Sequence, residues 1–252
     1  VRLVPRLLWK SLSREQREQL LFLVPDHDRQ AVTKIITGSR LYQSSFDIFR
    51  CIFVHIPKCA GTSVSQGLFG QATVGHIPIY WHQLHSPERF EEYFKFGFVR
   101  NPWDRLVSGY LYLQRGGARK RDREWSRFVQ GFDSFDDFVC RWLSPQNVER
   151  GLLFLPQYRF LSDRFGMPCL DYLGRFETLA EDFVRVAACL SVRARLPQSN
   201  RTPERRPYAD YYTLESRERV AEVYARDIDW FGYRFDGGWE PTALIPERGA
   251  GV

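Results

Sequence analysis

The sequence predicts an α/β fold, with a central, mainly parallel sheet flanked by helices. Three observations predict it. Residues 49–56 (FRCIFVHI) are a nearly continuous apolar run with β-branched and aromatic members, the pattern of a strand buried on both faces. That run leads through a short loop into a helix start. The same order recurs after residues 95–99 (KFGFV) and after residues 170–176, and repeated strand–loop–helix units imply parallel strands.

The elements follow in order. Ser13 and Gln16 form a capping-box pattern ahead of Leu20, Leu21, Leu23 and Val24, and Pro25 stops that helix. A second short helix is expected over 29–36, and 38–47 reads as turn. After the first strand, 57–61 is a loop and a helix starts at Thr62. After the second, Asn101-Pro102 opens a helix, because proline suits the first helical position. Leu106, Tyr110 and Leu113 share one of its faces. Residues 114–127 are polar and basic and read as an exposed loop. Ser134 caps a helix bearing Phe135, Phe138 and Val139. The strand at 170–176 precedes a helix over 178–190. Residues 192–207 form an Arg-rich loop, and Thr213 caps a last helix bearing Val220, Val223 and Tyr224. The chain thus divides into a helical extension (1–48), a main domain (49–236) and a Gly- and Pro-bearing tail (237–252) without order of its own.

Length and composition bound the function. The 252 residues are 44% hydrophobic and 26% charged, which suits one domain with a sizeable core and excludes disorder and collagen-like repeats. No window approaches 18 consecutive apolar residues, so no membrane span is expected. Val1 is not a start methionine, which leaves room for an upstream leader or anchor. The net charge of +6 points to anionic partners without choosing between nucleic acid, nucleotide and acidic glycan. Only five of the 36 basic residues are Lys. Arginine's planar fork suits phosphate, sulfate and carboxylate, although codon bias accounts for the same excess. The five cysteines contain no C-x-x-C pair, against both a zinc site and a disulfide framework. Reduced thiols in a cytoplasm are the simplest account.

Two segments carry chemistry. Residues 55–63 (HIPKCAGTS) link the first strand to a helix. Inward-facing N–H groups and the positive helix end make such a turn an anion cradle. Lys58 adds a mobile charge, Cys59 and Ala60 belong to the cradle that binds the anion, Gly61 permits close approach, and Thr62 and Ser63 add hydroxyl donors. A Walker A loop ends in Gly-Lys-Ser/Thr. Here the Lys precedes the Gly by three, against a conventional ATPase or kinase. The alternative is a plain turn with an incidental lysine. Residues 98–110 (FVRNPWDRLVSGY) again run from strand into helix. Arg100 sits at the mouth of the sheet, where open α/β folds bind ligands, and Ser108 lies about two turns on. Together they suit a phosphate monoester. The alternative is a helix-start salt bridge from Arg100 to Asp104.

These two segments, in this order, resemble the PAPS-dependent sulfotransferases. They resemble especially the carbohydrate branch that includes heparan sulfate 2-O-sulfotransferase and bacterial family 2 relatives. The first segment is similar to that family's 5′-phosphosulfate loop, with Cys59 where Thr is common. The second is similar to its 3′-phosphate motif, with Arg100 and Ser108 in the phosphate-binding positions and Arg105 matching the pattern. Pro156-Gln157-Tyr158, residues 174–177 with Asp182-Phe183, Asn200, 208–213 and 227–235 (DIDWFGYRF) extend the likeness over about 49–235. The resemblance implies a P-loop-like three-layer fold. It implies sulfuryl transfer from PAPS (3′-phosphoadenosine 5′-phosphosulfate) to a hydroxyl, with PAP as product. Lys58 then holds the 5′-phosphosulfate and stabilises the bridging oxygen as its bond to sulfur breaks. Asn200 and Tyr208 lie near the adenine or 3′-phosphate.

The attacking hydroxyl must lose a proton, and a histidine is suited to take it. Of His27, His55, His76, His82 and His85, His55 falls in the first strand and His27 in a polar turn. Gly75-His76 resembles the family's Gly-His element, which makes His76 the expected base, with His82 and His85 as alternatives. Glu177, the carboxylate candidate, fits N-terminal capping better. No cluster suggests a metal and the chemistry requires none. Residues 114–127 read as a basic rim for an acidic glycan or as a solvated loop. Trp81, Trp103, Trp125 and Trp142 read as sugar-stacking surfaces or as core. A phosphotransferase would need a Gly-Lys-Ser/Thr loop, which is absent. A non-catalytic binder of acidic glycan or nucleotide stays open, while no nucleic-acid module signature is present. Location follows the thiols, a bacterial cytoplasm, or the Golgi lumen if the chain is trimmed.

Overall fold

The computed structural model describes residues 3–71, 74–118, 122–197 and 206–242. Three parallel strands, β1 (Cys51–Val54), β2 (Phe94–Val99) and β3 (Tyr172–Arg175), form a sheet in the order β1-β2-β3. Phe53 pairs with Phe96, and Phe98 with Gly174. The four residues of β1 are all buried, as a strand covered on both faces requires. The Phe53 and Phe96 rings stack with centroids 5.0 Å apart. All three carboxyl ends point to one edge, and the loops there build the site.

Local signals place the helix starts. Ser13 and Gln16 form the expected capping box before Arg14–Phe22. The Asn101 side chain accepts the N–H groups of Trp103 and Asp104 at the head of Pro102–Gln114. Ser134 caps Phe135–Trp142 and Thr213 caps Leu214–Val223. Leu106, Tyr110 and Leu113 are buried together, as their spacing requires.

Several expectations are corrected. The first strand is shorter than 49–56, because a helix over Ser44–Phe49 precedes it. Arg50, at φ 47°, takes the left-handed turn that stops that helix and drops the chain into β1. The third strand starts at Tyr172 rather than 170. The polar stretch 114–127 is not all loop, since Asp122–Gln130 is helical. Only Ser126 and Val129 of that helix are buried, and this i,i+3 pair is the narrow face that its charged neighbours hid. A further helix, Ala225–Phe231, follows Leu214–Val223. Arg119, Lys120, Arg121 and Asn200, part of the Arg-rich loop and most of the tail lie outside the described residues.

Two hydrophobic cores meet at the strand ends. One surrounds the sheet and includes Ile52, Ile56, Cys59, Phe96 and Phe183. The other is helical and includes Trp103, Tyr110, Phe138, Trp142 and Tyr224. A small third cluster of Ala31, Leu41 and Ile77 joins the N-terminal helices to the segment after residue 74.

Candidate active site

The first loop is bent by its own backbone. Lys58 and Ala60 both adopt left-handed conformations, at φ 70° and 58°, on either side of Cys59. Each costs about 1–2 kcal/mol in a non-glycine residue. The protein holds the bend from behind. Arg105 Nε donates to the Pro57 carbonyl at 3.0 Å, and Arg100 Nη1 donates to the Lys58 carbonyl at 3.1 Å. Cys59 Sγ lies 3.3 Å from Gln157 Oε1. With its carbonyls tied back, the loop and the following helix, Gly61–Phe69, offer N–H groups on the cleft side.

Lys58, Ala60, Gly61, Thr62, Ser63, His76, Arg100 and Ser108 border one cleft. Cys59 does not. Its thiol is buried in the sheet core, and burial pushes its pKa up to about 12. Tyr208 is not brought to the cleft either. Its hydroxyl donates to the Phe235 carbonyl. Gly61 is required for a reason besides the one expected. A Cβ there would stand 1.9 Å from His55 Cδ2, so the His55 ring occupies the space that the glycine vacates.

His55 lies just past β1, and its ring packs on His76 with centroids 4.3 Å apart. His76 Nδ1 is 2.8 Å from the His55 carbonyl oxygen. A carbonyl only accepts, so Nδ1 carries the proton, and the acceptor lone pair of the neutral ring is at Nε2. His82 is fully buried against the Tyr42 ring, and burial, with the charges of Lys34 and His85, lowers its pKa to about 3. His27, His82 and His85 do not border the cleft.

The second loop is fastened at several points. Gln157, fully buried, accepts the Arg100 N–H at 2.9 Å and donates to the Arg100 carbonyl at 2.8 Å. Asp227 accepts the N–H groups of Gln157 and Tyr158, each at 2.8 Å. Burial raises the Asp227 carboxyl to about 6 against the pull of those bonds and of Arg105. Glu177 caps a helix other than its own. It accepts the Asn101 N–H at 2.7 Å and the Tyr233 hydroxyl at 2.8 Å. Arg100 does form the salt bridge to Asp104, Nε to Oδ2 at 2.6 Å, and its guanidinium lies 3.9 Å from the Phe176 ring centre. Pairing does not take Arg100 out of the cleft lining, because Nε and Nη1 serve the protein while the buried group still borders the cleft.

Sequence reasoning missed several contributors. Tyr112 lies beneath Lys58, whose Nζ is 4.3 Å from the ring centre, a cation–π contact. Gln157 fastens Arg100, and its signal was a lone amide in the otherwise apolar run LLFLPQY. Of the four tryptophans named above, Trp103 is core, Trp142 is core with an edge on the cleft, Trp81 packs on the small third cluster, and Trp125 packs on the helical core and borders the cleft. Both signs of charge line the cleft, Arg29, Lys34 and Arg150 together with Asp26, Glu124 and Glu149. Among the described residues no group of His, Cys, Asp or Glu could hold a metal ion, and no helix is long and apolar enough to cross a membrane.

Fold and cleft together define an α/β protein with a strand-end cleft lined by cationic and hydroxyl side chains. The chain belongs to the Sulfotransferase family, whose model (Sulfotransfer_2) matches residues 47–234. It is similar to Carbohydrate sulfotransferase 10 of Xenopus laevis, 27% identical over 196 residues, 63% of this chain and 51% of that protein. It is also similar to Carbohydrate sulfotransferase 14 of Danio rerio, 29% identical over 175 residues, 58% of this chain and 45% of that protein. An uncharacterized protein of Archaeoglobus fulgidus is 32% identical over 99 residues, 38% of this chain and 67% of that one. The chain spans about half the length of the two carbohydrate sulfotransferases. No solved structure matches it significantly.

Proposed function

We propose that the protein moves a sulfuryl group from PAPS to a hydroxyl of a carbohydrate, with His76 as general base. One observation carries this reading. Lys58, the hydroxyls of the first loop, Arg100, Ser108 and His76 border a single cleft at the ends of β1 and β2. The first loop suits the 5′-phosphosulfate. Arg100, whose guanidinium borders the cleft, suits the 3′-phosphate together with Ser108. The acceptor oxygen attacks sulfur in line, and the bond from sulfur to the bridging oxygen breaks. The departing PAP takes the electron pair, and His76 Nε2 takes the hydroxyl proton. Lys58 moves from the Tyr112 ring to the developing charge on the bridging oxygen, by analogy with phosphoryl transfer. The sugar preference rests on the names of the relatives and on Trp125 beside the cleft as a stacking surface.

The test is an acceptor screen with labelled PAPS, run beside PAP calorimetry. His76→Ala is expected to lower kcat by about 10²-fold or more while PAP affinity stays within about twofold of wild type. Near-wild-type turnover in that variant would remove His76 from the base role. PAP binding no tighter than ATP binding would remove the donor assignment.

A further inference from the structure

We infer that Gln30, in the helical extension ahead of the matched family region, is a positioning residue for His76, an inference that rests on His76 being the base. The family match begins at residue 47, so Gln30 lies outside it. Its helix Arg29–Thr37 nevertheless forms a wall of the cleft through Gln30, Thr33 and Lys34. Gln30 Oε1 accepts the His76 backbone N–H at 2.8 Å across 46 residues of sequence. The amide also lies directly on Gly75, at φ 86°, where a Cβ would stand 2.4 Å from Gln30 Nε2. Only glycine combines that backbone conformation with that contact.

Neighbouring contacts make the hold rigid. Ala31, next to Gln30, and Ile77, next to His76, pack together in the small third core. Asp28 accepts the Trp81 indole N–H at 2.7 Å and the Tyr80 hydroxyl. Gln43 donates to the Val74 carbonyl at 2.6 Å. The segment carrying His76 is thus gripped before and after that residue, at Val74 and at Tyr80-Trp81, by residues 28–43. The His76 ring is held at Nδ1 by the His55 carbonyl and its backbone is held by Gln30. Those two bonds fix where Nε2 points. A displacement of about 1 Å at a reacting group can cost about 10²-fold in rate, so a backbone hold of this kind acts on turnover rather than on donor affinity.

The test uses the full chain and three variants. Gln30→Ala removes the acceptor, Gln30→Met removes it while keeping the bulk, and Gln30→Glu keeps an oxygen in its place. The alanine and methionine variants are expected to lose roughly tenfold or more in kcat, with PAP affinity unchanged. The glutamate variant is expected to recover most of that turnover. In the His76→Ala background, Gln30→Ala is expected to add nothing, because a residue acting through His76 has nothing left to position. Hydrogen exchange of the His76 amide reads the hold without turnover, and it is expected to quicken in the alanine and methionine variants. An unchanged kcat, a full additive loss beside His76→Ala, or an amide that stays equally protected would each overturn the proposal. Loss of PAP affinity in parallel with kcat would also overturn it, by reassigning Gln30 to general structural support. If the chain transfers no sulfuryl group at all, the parent reading fails, while amide exchange still decides the hold of Gln30.

Discussion

His76 and His82 are six residues apart, and burial separates their chemistry. His76 stands in the cleft with its proton directed to a carbonyl. His82 is 2% exposed and its pKa falls from 6.5 to about 3. The unfolded chain takes up a proton near pH 6.5 that the native ring refuses until about 3, so His82 withdraws stability as pH drops through that window. The slope is about 1.4 kcal/mol per pH unit. Asp227 acts in the opposite sense. Its folded carboxyl is raised from 3.8 to about 6, so native Asp227 keeps its proton longer, and its contribution declines as pH rises from 3.8 to 6. The two overlap, and the useful quantity is the difference between wild type and a variant. His82→Leu is expected to gain on wild type as pH falls from 6.5 to about 4, read as urea midpoints across that range. A difference that stays constant with pH would show that the ring titrates normally.

Among the elements, the helix Ala225–Phe231 controls a loop it never touches in sequence. Asp227 holds Gln157, and Gln157 holds both polar backbone groups of Arg100. Asp227→Ala strips two backbone N–H groups of their acceptor, a cost of about 2–4 kcal/mol, and loosens the second loop. Denaturant unfolding and PAP titration should both record a loss. A loss of stability with PAP affinity intact would limit Asp227 to holding the fold. This relay also explains what the sequence could and could not reveal. The strands, the caps at Ser13, Asn101, Ser134 and Thr213, and both cleft loops are written in consecutive residues, so local pattern exposes them. The fasteners are not local. Gln157 reaches Arg100 across 57 residues, and Gln30 reaches His76 across 46. No periodicity marks a polar side chain whose partner is that far away. Asp122–Gln130 escaped for a different reason, because its apolar stripe of Trp125, Phe128 and Val129 spans barely one turn among charged neighbours.

At the scale of the whole molecule, the cleft lies where the two larger cores meet. The first loop grows from the sheet core through Ile56 and Cys59, and the second feeds a helix whose Trp103, Leu106 and Val107 belong to the helical core. A ligand gripped by both loops therefore ties the cores together, and anything that binds only the native state raises its stability. At a hundred times its Kd, PAP should contribute about 2.7 kcal/mol. For a chain of this size that is a rise of roughly 5–10 °C in Tm. ATP lacks the 3′-phosphate and is expected to give a much smaller rise at the same concentration. Arg100→Ala should remove most of the PAP rise, yet leave that from adenosine 5′-phosphosulfate, which has no 3′-phosphate, nearly intact. The ligand-induced shift is the quantity to compare, because Arg100→Ala also takes the guanidinium at 2.6 Å away from the buried Asp104 carboxylate and lowers the ligand-free Tm. Equal shifts for PAP and ATP, or equal losses of the PAP and adenosine 5′-phosphosulfate rises in the variant, would place the 3′-phosphate away from Arg100 and leave the second loop without a ligand.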